Sequence, residues 1–177
     1  MKKKILIATG GSGGHVIPAI VFYHLLKHRF KTYISSDLRG TNYFDKKYDI
    51  KIIKTPQIFN NFMLIPIKFF LVLFLTLNAV IFLKRKKIEM VISTGGYAPI
   101  PLCLACIILA KKMYLFEPNQ VLGRSNKFFL KYCDKVFCYS KKIKNFPNNL
   151  IDKIYQIHPL VRKKFYFNIK KNQKNLI

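Results

Sequence analysis

The stretch Ile5-Leu6-Ile7-Ala8-Thr9-Gly10-Gly11-Ser12-Gly13-Gly14-His15 decides how this chain folds. A short apolar run behind Lys2-Lys3-Lys4 reads as a strand buried on both faces, as in a parallel sheet. It breaks into four glycines around one serine, then enters a helical pattern from Val16 to Arg29. Strand, glycine turn and helix N-terminus together form a cradle for phosphate or diphosphate. Glycines let backbone approach the ligand, and unpaired first-turn amides with the helix dipole favour negative charge. His15 sets a titratable ring at the mouth of that cradle. The spacing is not the dinucleotide fingerprint G-x-G-x-x-G, and no Gly-Lys-Ser/Thr follows as in a Walker loop. A purely structural turn is the competing reading; the histidine directly after the second glycine pair counts against it.

Outward from this loop, strand and helix patterns alternate. Strands are expected near 3–9, 31–36, 50–54, 88–93, 113–117, 135–139 and 154–157. Helices are expected near 15–29, 62–84, 98–111 and 123–132, with a short one at 141–145. The alternation predicts an α/β fold, a Rossmann-like parallel sheet with helices on both faces. Ligands of such sheets bind beyond the carboxyl ends of the strands, which singles out loops 10–15, 94–97 and 117–126. No internal repeat is evident. The Lys- and Asn-rich tail from 163 to 177 reads as a linker, and 1–162 as one domain.

The chain of 177 residues carries 32 basic and 7 acidic residues, a net charge of +25. That balance invites a nucleic-acid reading, but no recognition helix or aromatic stacking motif accompanies it, and the lysines are spread along the whole chain. Abundant Lys, Ile, Asn and Phe with no Trp look like the imprint of an AT-biased genome. The charge still favours phosphates, acidic partners and anionic membranes. The N-terminus lacks the pattern of a secretory signal. Of four cysteines, Cys103 and Cys106 form a C-x-x-C inside the apolar run 100–110, so all read as reduced core thiols and no metal site is expected. His24 and His28 stand at i and i+4 without an adjacent glutamate, and read as a solvated helix face.

The segment 62–83 is the second informative feature. From Phe69 to Leu83 only Thr76 and Asn78 are polar, and Lys84-Arg85-Lys86-Lys87 follows. It is long enough to span a bilayer. Three readings compete: a core helix, a span, and an interfacial helix with Phe70, Phe74 and Phe82 as candidates for its lipid-facing side. A core helix should show a polar face, which this segment barely has. A span would tear the helix from between two strands of one sheet. The interfacial reading fits both pattern and topology.

Three motifs in register carry a resemblance: Gly10 to His15, Ser93-Thr94-Gly95-Gly96-Tyr97 after a strand, and Glu117-Pro118-Asn119 with Gly123 and Asn126. In that order and spacing, and over nearly the whole chain, they resemble the N-terminal half of glycosyltransferase family 28, the peptidoglycan N-acetylglucosaminyltransferases. The resemblance implies a GT-B architecture, two Rossmann-like domains facing across a cleft. It implies transfer of N-acetylglucosamine from UDP-GlcNAc to a polyprenyl-diphosphate-linked muramoyl-pentapeptide, at the cytoplasmic face of the bacterial inner membrane. This chain would then bind the lipid-linked acceptor and an anionic membrane surface. A C-terminal domain or subunit would hold most donor contacts.

By the same resemblance His15 is the catalytic candidate, a general base. Ser12, Gly13 and Gly14 form the donor-proximal loop, and Asn119 and Arg162 contact substrate. Gly10, Gly11, Gly95, Gly96, Tyr97, Glu117 and Asn126 are further site candidates. Phe116 and Pro118 stand where the family has His and Gln, and the junction reads His158-Pro159-Leu160-Val161-Arg162. The implied reaction is a single displacement with inversion at the anomeric carbon, the C4 hydroxyl of the muramic sugar attacking. It needs no cofactor or metal, and the chain has no Asp-x-Asp. Each residue also has a plainer reading: His15 as a helix cap, Glu117 as a structural carboxylate, Asn119 and Asn126 as turn or cap residues, Arg162 as a solvated linker cation. An alternative function is a non-catalytic, membrane-anchoring, acceptor-binding subunit that recruits a separate donor-binding chain.

Overall fold

The computed structural model describes residues 2–46, 48–56 and 65–160, apart from the Ile65 side chain. Arg162 and the tail 163–177 lie outside the described residues, as does the first part of segment 62–83. Seven strands form one wholly parallel sheet: β1 (Lys4–Ala8), β2 (Lys31–Ser36), β3 (Ile50–Ile52), β4 (Met90–Ser93), β5 (Lys112–Glu117), β6 (Lys135–Cys138) and β7 (Ile154–Gln156). Their order is β3-β2-β1-β4-β5-β6-β7. Every expected strand is present. The chain leaves β1 in one direction to build β2 and β3, then returns to place β4 on the other side of β1. The β1–β4 boundary is therefore the switch point, where open α/β sheets bind ligands.

Alternation along β1 splits the core into two layers. Leu6 and Ala8 join Val91, Met113, Leu115 and Val136 on one face, beneath helices α3 (Ile65–Lys86) and α4 (Ile100–Ile108). Ile5 and Ile7 point the other way with Ile92 and Phe116, against Ala19 and Phe22 of helix α1 (Gly13–Leu26). This is the two-residue period of a strand covered on both sides. All four cysteines are buried and free. Burial pushes the Cys106 thiol up to about 12 and that of Cys133 to about 11, so they are inert core side chains, as expected.

The helices depart from expectation in instructive ways. Helix α1 begins at Gly13 and ends at Leu26, so Gly13 and Gly14 are its first turn. A short unforeseen helix, α2 (Leu38–Thr41), is capped by the Asp37 carboxylate. Helix α5 spans only Arg124–Phe129, and a 3-10 segment, Asn148–Lys153, precedes β7. No helix forms at 141–145. Instead, Leu122 N–H donates to the Lys144 carbonyl at 3.1 Å and Lys144 N–H to that of Gln120 at 2.7 Å. Asn145 adopts a left-handed φ of 63°, and Pro147 follows two residues on; five residues bounded in this way cannot nucleate a helix. His24 is not on a bare solvated face: its Nε2 pairs with the Tyr48 hydroxyl at 2.7 Å.

Helix α3 is long and apolar enough to cross a membrane by length and composition, yet it is a crossover between β3 and β4. Val72, Thr76, Ala79 and Leu83 form its buried seam, spaced four, three and four residues apart. Thr76 Oγ1 donates back to the Val72 carbonyl at 2.8 Å, which satisfies the one polar group on that seam. The opposite face carries Phe69, Phe70, Leu73, Phe74, Leu77 and Ile81, with Phe70 67% and Phe74 61% exposed. Phe82 does not belong to that face. It is half-buried against the core, with Lys51 Nζ 5.6 Å from its ring centroid.

Candidate functional site

Strand pairing brings two of the three loops together. Thr94 N–H extends the β1–β4 ladder by donating to the Ala8 carbonyl at 3.0 Å, and Thr94 Oγ1 donates to Thr9 Oγ1 at 2.7 Å. The chain then turns through Gly95 and Gly96, with φ of 90° and 84°, a region that favours residues without a Cβ. His15, in the first turn of α1, reaches across and donates from Nδ1 to the Thr94 carbonyl at 2.7 Å. A carbonyl can only accept, so Nδ1 carries the proton and, in the neutral ring, Nε2 carries the lone pair.

The imidazole lies over the glycine pair. A Cβ on Gly95 would stand 3.1 Å from His15 Cε1, and one on Gly96 3.7 Å from Nε2 and 3.5 Å from the Gly10 carbonyl. The absence of side chains at 95 and 96 is what lets the ring and the first loop come so close.

The first loop is held from beneath by a residue that motif reading missed. Asp37, at the end of β2, accepts from the amides of Gly11 (2.8 Å) and Gly40 (2.9 Å) on Oδ1. Its Oδ2 accepts from Arg39 Nε and Nη2 at 3.1 and 3.0 Å. Burial alone would raise its carboxyl pKa, but these amides and the Arg39 guanidinium outweigh burial and hold it below the ordinary value. A Cβ on Gly10 would meet Ala98 Cβ, and one on Gly13 would stand 2.9 Å from Tyr43 Cε1. Tyr43 is thus a second unforeseen neighbour of the cradle. The available signals were Asp37 one residue past a strand end and an aromatic residue in the following loop, and neither is specific alone.

The third loop is organised by Glu117, which is 2% exposed. Oε1 accepts from Asn119 N and Nδ2 at 3.2 and 3.0 Å; Oε2 accepts from Gly123 N at 2.8 Å and Asn126 Nδ2 at 2.9 Å. Four donors on one carboxylate make Glu117 the hub of the loop, in keeping with its structural reading. Asn126 also donates to the Phe116 carbonyl at 3.0 Å, and its buried Oδ1 has no partner among the described residues. A Cβ on Gly95 would lie 3.7 Å from Asn126 Nδ2, so this loop borders the second.

The structure therefore gathers Gly10, His15, Gly95, Gly96 and Asn126 at the switch point. Ser12 is exposed at the N-cap of α1, ahead of Gly13 and Gly14, and Tyr97 is half-buried on the second loop. Asn119 is exposed on the Glu117 hub. Among the described residues no three His, Cys, Asp or Glu side chains are grouped to hold a metal ion.

A parallel sheet with glycine loops converging at its switch point defines a Rossmann-like domain of the GT-B kind. The chain belongs to glycosyltransferase family 28, and residues 5–138 match that family's N-terminal domain. It is 51% identical over 167 residues to a Pelagibacter ubique protein, UDP-N-acetylglucosamine--N-acetylmuramyl-(pentapeptide) pyrophosphoryl-undecaprenol N-acetylglucosamine transferase, covering 94% of this chain and 47% of that one. Among solved structures, Acinetobacter baumannii MurG superposes with a TM-score of 0.71 at 23% identity, covering 92% of this chain and 47% of that one. A Neisseria meningitidis UDP-GlcNAc 2-epimerase bound to UDP-GlcNAc shares the fold at a TM-score of 0.61 and 16% identity, over 86% and 45% of the two chains. The chain spans about half the length of the curated relatives it matches.

Proposed function

We propose that this chain is the acceptor-side half of an inverting N-acetylglucosaminyltransferase. It would transfer the sugar from UDP-GlcNAc to the C4 hydroxyl of a polyprenyl-diphosphate-linked muramoyl-pentapeptide. The observation that carries the reading is the His15–Thr94 hydrogen bond. It aims the ring and leaves Nε2 as a base at the switch point, between two glycine loops. His15 removes the hydroxyl proton as the oxygen attacks the anomeric carbon, and UDP departs on the opposite side. The N-cap amide of Ser12 and the first-turn amides of Gly13 and Gly14, with the α1 dipole, stabilise diphosphate charge. Gly10 and Gly11 shape that cradle, Gly95 and Gly96 seat the base, and Tyr97 and Asn126 border it. Glu117 holds Asn119 in place toward the sugar nucleotide, and Arg162, outside the described residues, is assigned to substrate binding by the family resemblance alone.

The uridine pocket would belong to a C-terminal domain or subunit, a reading supported by the greater length of the relatives, of which this chain covers 47%. The outer face of α3, apolar and followed by Lys84, Arg85, Lys86 and Lys87, docks the protein peripherally on the anionic cytoplasmic face of the inner membrane. Supporting this is an exposed apolar surface of a kind that soluble monomers seldom present.

The test is a transfer assay with a complete two-domain protein carrying this half, UDP-GlcNAc and the lipid-linked acceptor. A C4-linked product of β configuration is expected. No transfer, or transfer with retained configuration, overturns the reading.

A further inference from the structure

A groove of about 790 Å³ runs between α3 and the edge strand β3, and shares Leu38 and Lys54 with the small recess beside Asp37. Its walls are mainly apolar, with Ile53, Leu75, Ala79 and Phe82 contributing and Asn78 as a neutral polar group among them. Lys51, Lys54, Arg85 and Lys86 surround it, all exposed. No carboxylate stands within ion-pair distance of these four cations among the described residues, where the Asp37–Arg39 pair is formed instead. Asp49 borders the neighbouring recess together with Lys51 and Lys86, without pairing to either. Lys51 and Lys86 instead lie over the rings of Phe82 and Tyr33, at 5.6 and 5.8 Å.

Four uncompensated cations around an apolar trough call for a ligand that is anionic at one end and apolar at the other. Ile81 both lines the groove and stands on the exposed face of α3. The trough therefore opens onto the apolar surface that leads to Leu77 and Phe74. We infer that this groove seats the phosphate headgroup of an anionic phospholipid, its acyl chains lying along the outer face of α3. The inference rests on the reading of α3 as the membrane-docking helix and gives it a defined lipid site. Apolar walls continuing into an apolar helix face favour such an amphiphile over free phosphate, which would gain nothing from them.

The chain is titrated with monomeric dihexanoyl-phosphatidylglycerol, with dihexanoyl-phosphatidylcholine as control, and followed by amide NMR shifts. It is separately sedimented with phosphatidylglycerol vesicles. Lys51→Gln/Arg85→Gln removes two groove charges; Lys141→Gln/Lys142→Gln removes two exposed charges beyond β6; Phe70→Ser/Phe74→Ser alters the outer face alone. Saturable one-site shifts in β3 and the last turns of α3 are expected with the anionic lipid only. Affinity should fall about tenfold or more in the groove variant and less than about twofold in the distant pair. Equal losses in both pairs, or shifts confined to the glycine loop, overturn the inference. If vesicles are not bound but the monomeric lipid saturates the groove, the docking reading falls and the groove stands. If vesicle binding depends on Phe70 and Phe74 but not on Lys51 and Arg85, docking stands and the lipid seat falls.

Discussion

His15 Nδ1 lies 2.7 Å from the carbonyl oxygen of Thr94, a residue 79 positions away in the chain. This one bond fixes both the orientation of the ring and the nitrogen that keeps its lone pair. In a complete two-domain enzyme, His15→Ala should lower turnover about 100-fold or more, the usual weight of a positioned base. Its unfolding midpoint should scarcely move, because the ring is only half-buried. Nitrogen NMR of the wild-type ring should report the Nδ1–H tautomer. Turnover near the wild-type rate, or the opposite tautomer, would refute the assignment.

Gly95 is where the His15 ring lies close against the second loop. Gly95→Ala places a methyl 3.1 Å from His15 Cε1 on backbone with a φ of 90°. The strain should cost about 1–2 kcal/mol of stability. The larger effect should fall on kcat of the complete enzyme, since the ring must shift from its place against Thr94. A kcat that holds while only stability falls would separate the ring from catalysis.

Asp37 links the stability of the glycine loop to pH. Its carboxyl sits below the ordinary value of 3.8, so the stabilisation is fully present above that value and is lost as pH falls through the lower, folded one. Asp37→Asn should therefore be less stable than wild type at neutral pH, and the gap should close as the pH drops below about 4. Urea unfolding at a series of pH values measures it. A gap independent of pH would mean that the charge on Asp37 contributes nothing.

Glu117→Gln keeps the shape of the hub but turns one acceptor oxygen into a donor. That group would face either the two Asn119 donors or those of Gly123 and Asn126. The loss should be about 1.5–3 kcal/mol, the range for hydrogen bonds to a charged group. Denaturant unfolding of the chain gives the number directly. A loss below 1 kcal/mol would show that the loop re-pairs without its carboxylate.

Phe70→Ser/Phe74→Ser should release the chain from anionic vesicles and leave its unfolding midpoint unchanged, because both rings face outward. High salt should weaken wild-type binding as it screens Lys84 to Lys87. Protease protection of the chain beyond Lys87 inside sealed vesicles would instead indicate a span. Phe82→Ser should behave differently and destabilise the fold, since that ring packs on the core.

Much of this molecule was legible in local pattern. All seven strands and the glycine turn follow from short strand-like runs alternating with helical pattern and from residues with special backbone freedom, properties written within about ten residues. The motif loops 10–15, 94–97 and 117–126 could be located for the same reason. Helix ends were less legible, because propensity is weak and packing decides them. The stretch 141–145 is the clear case: its lysines suit a helix, but Gln120 and Leu122 offered backbone partners that no local pattern announces.

What only tertiary structure decided is which groups meet. Strand order placed β4 beside β1, which carried Thr94, Gly95 and Gly96 to His15 and fixed the tautomer. The same sheet set Asp37 under Gly11 and turned Phe82 inward while Phe70 and Phe74 stayed out. Those outcomes depend on contacts between distant segments, and the energy of such contacts lies in the pairing of two surfaces. A linear pattern of residue types records each surface separately and leaves the partner unstated.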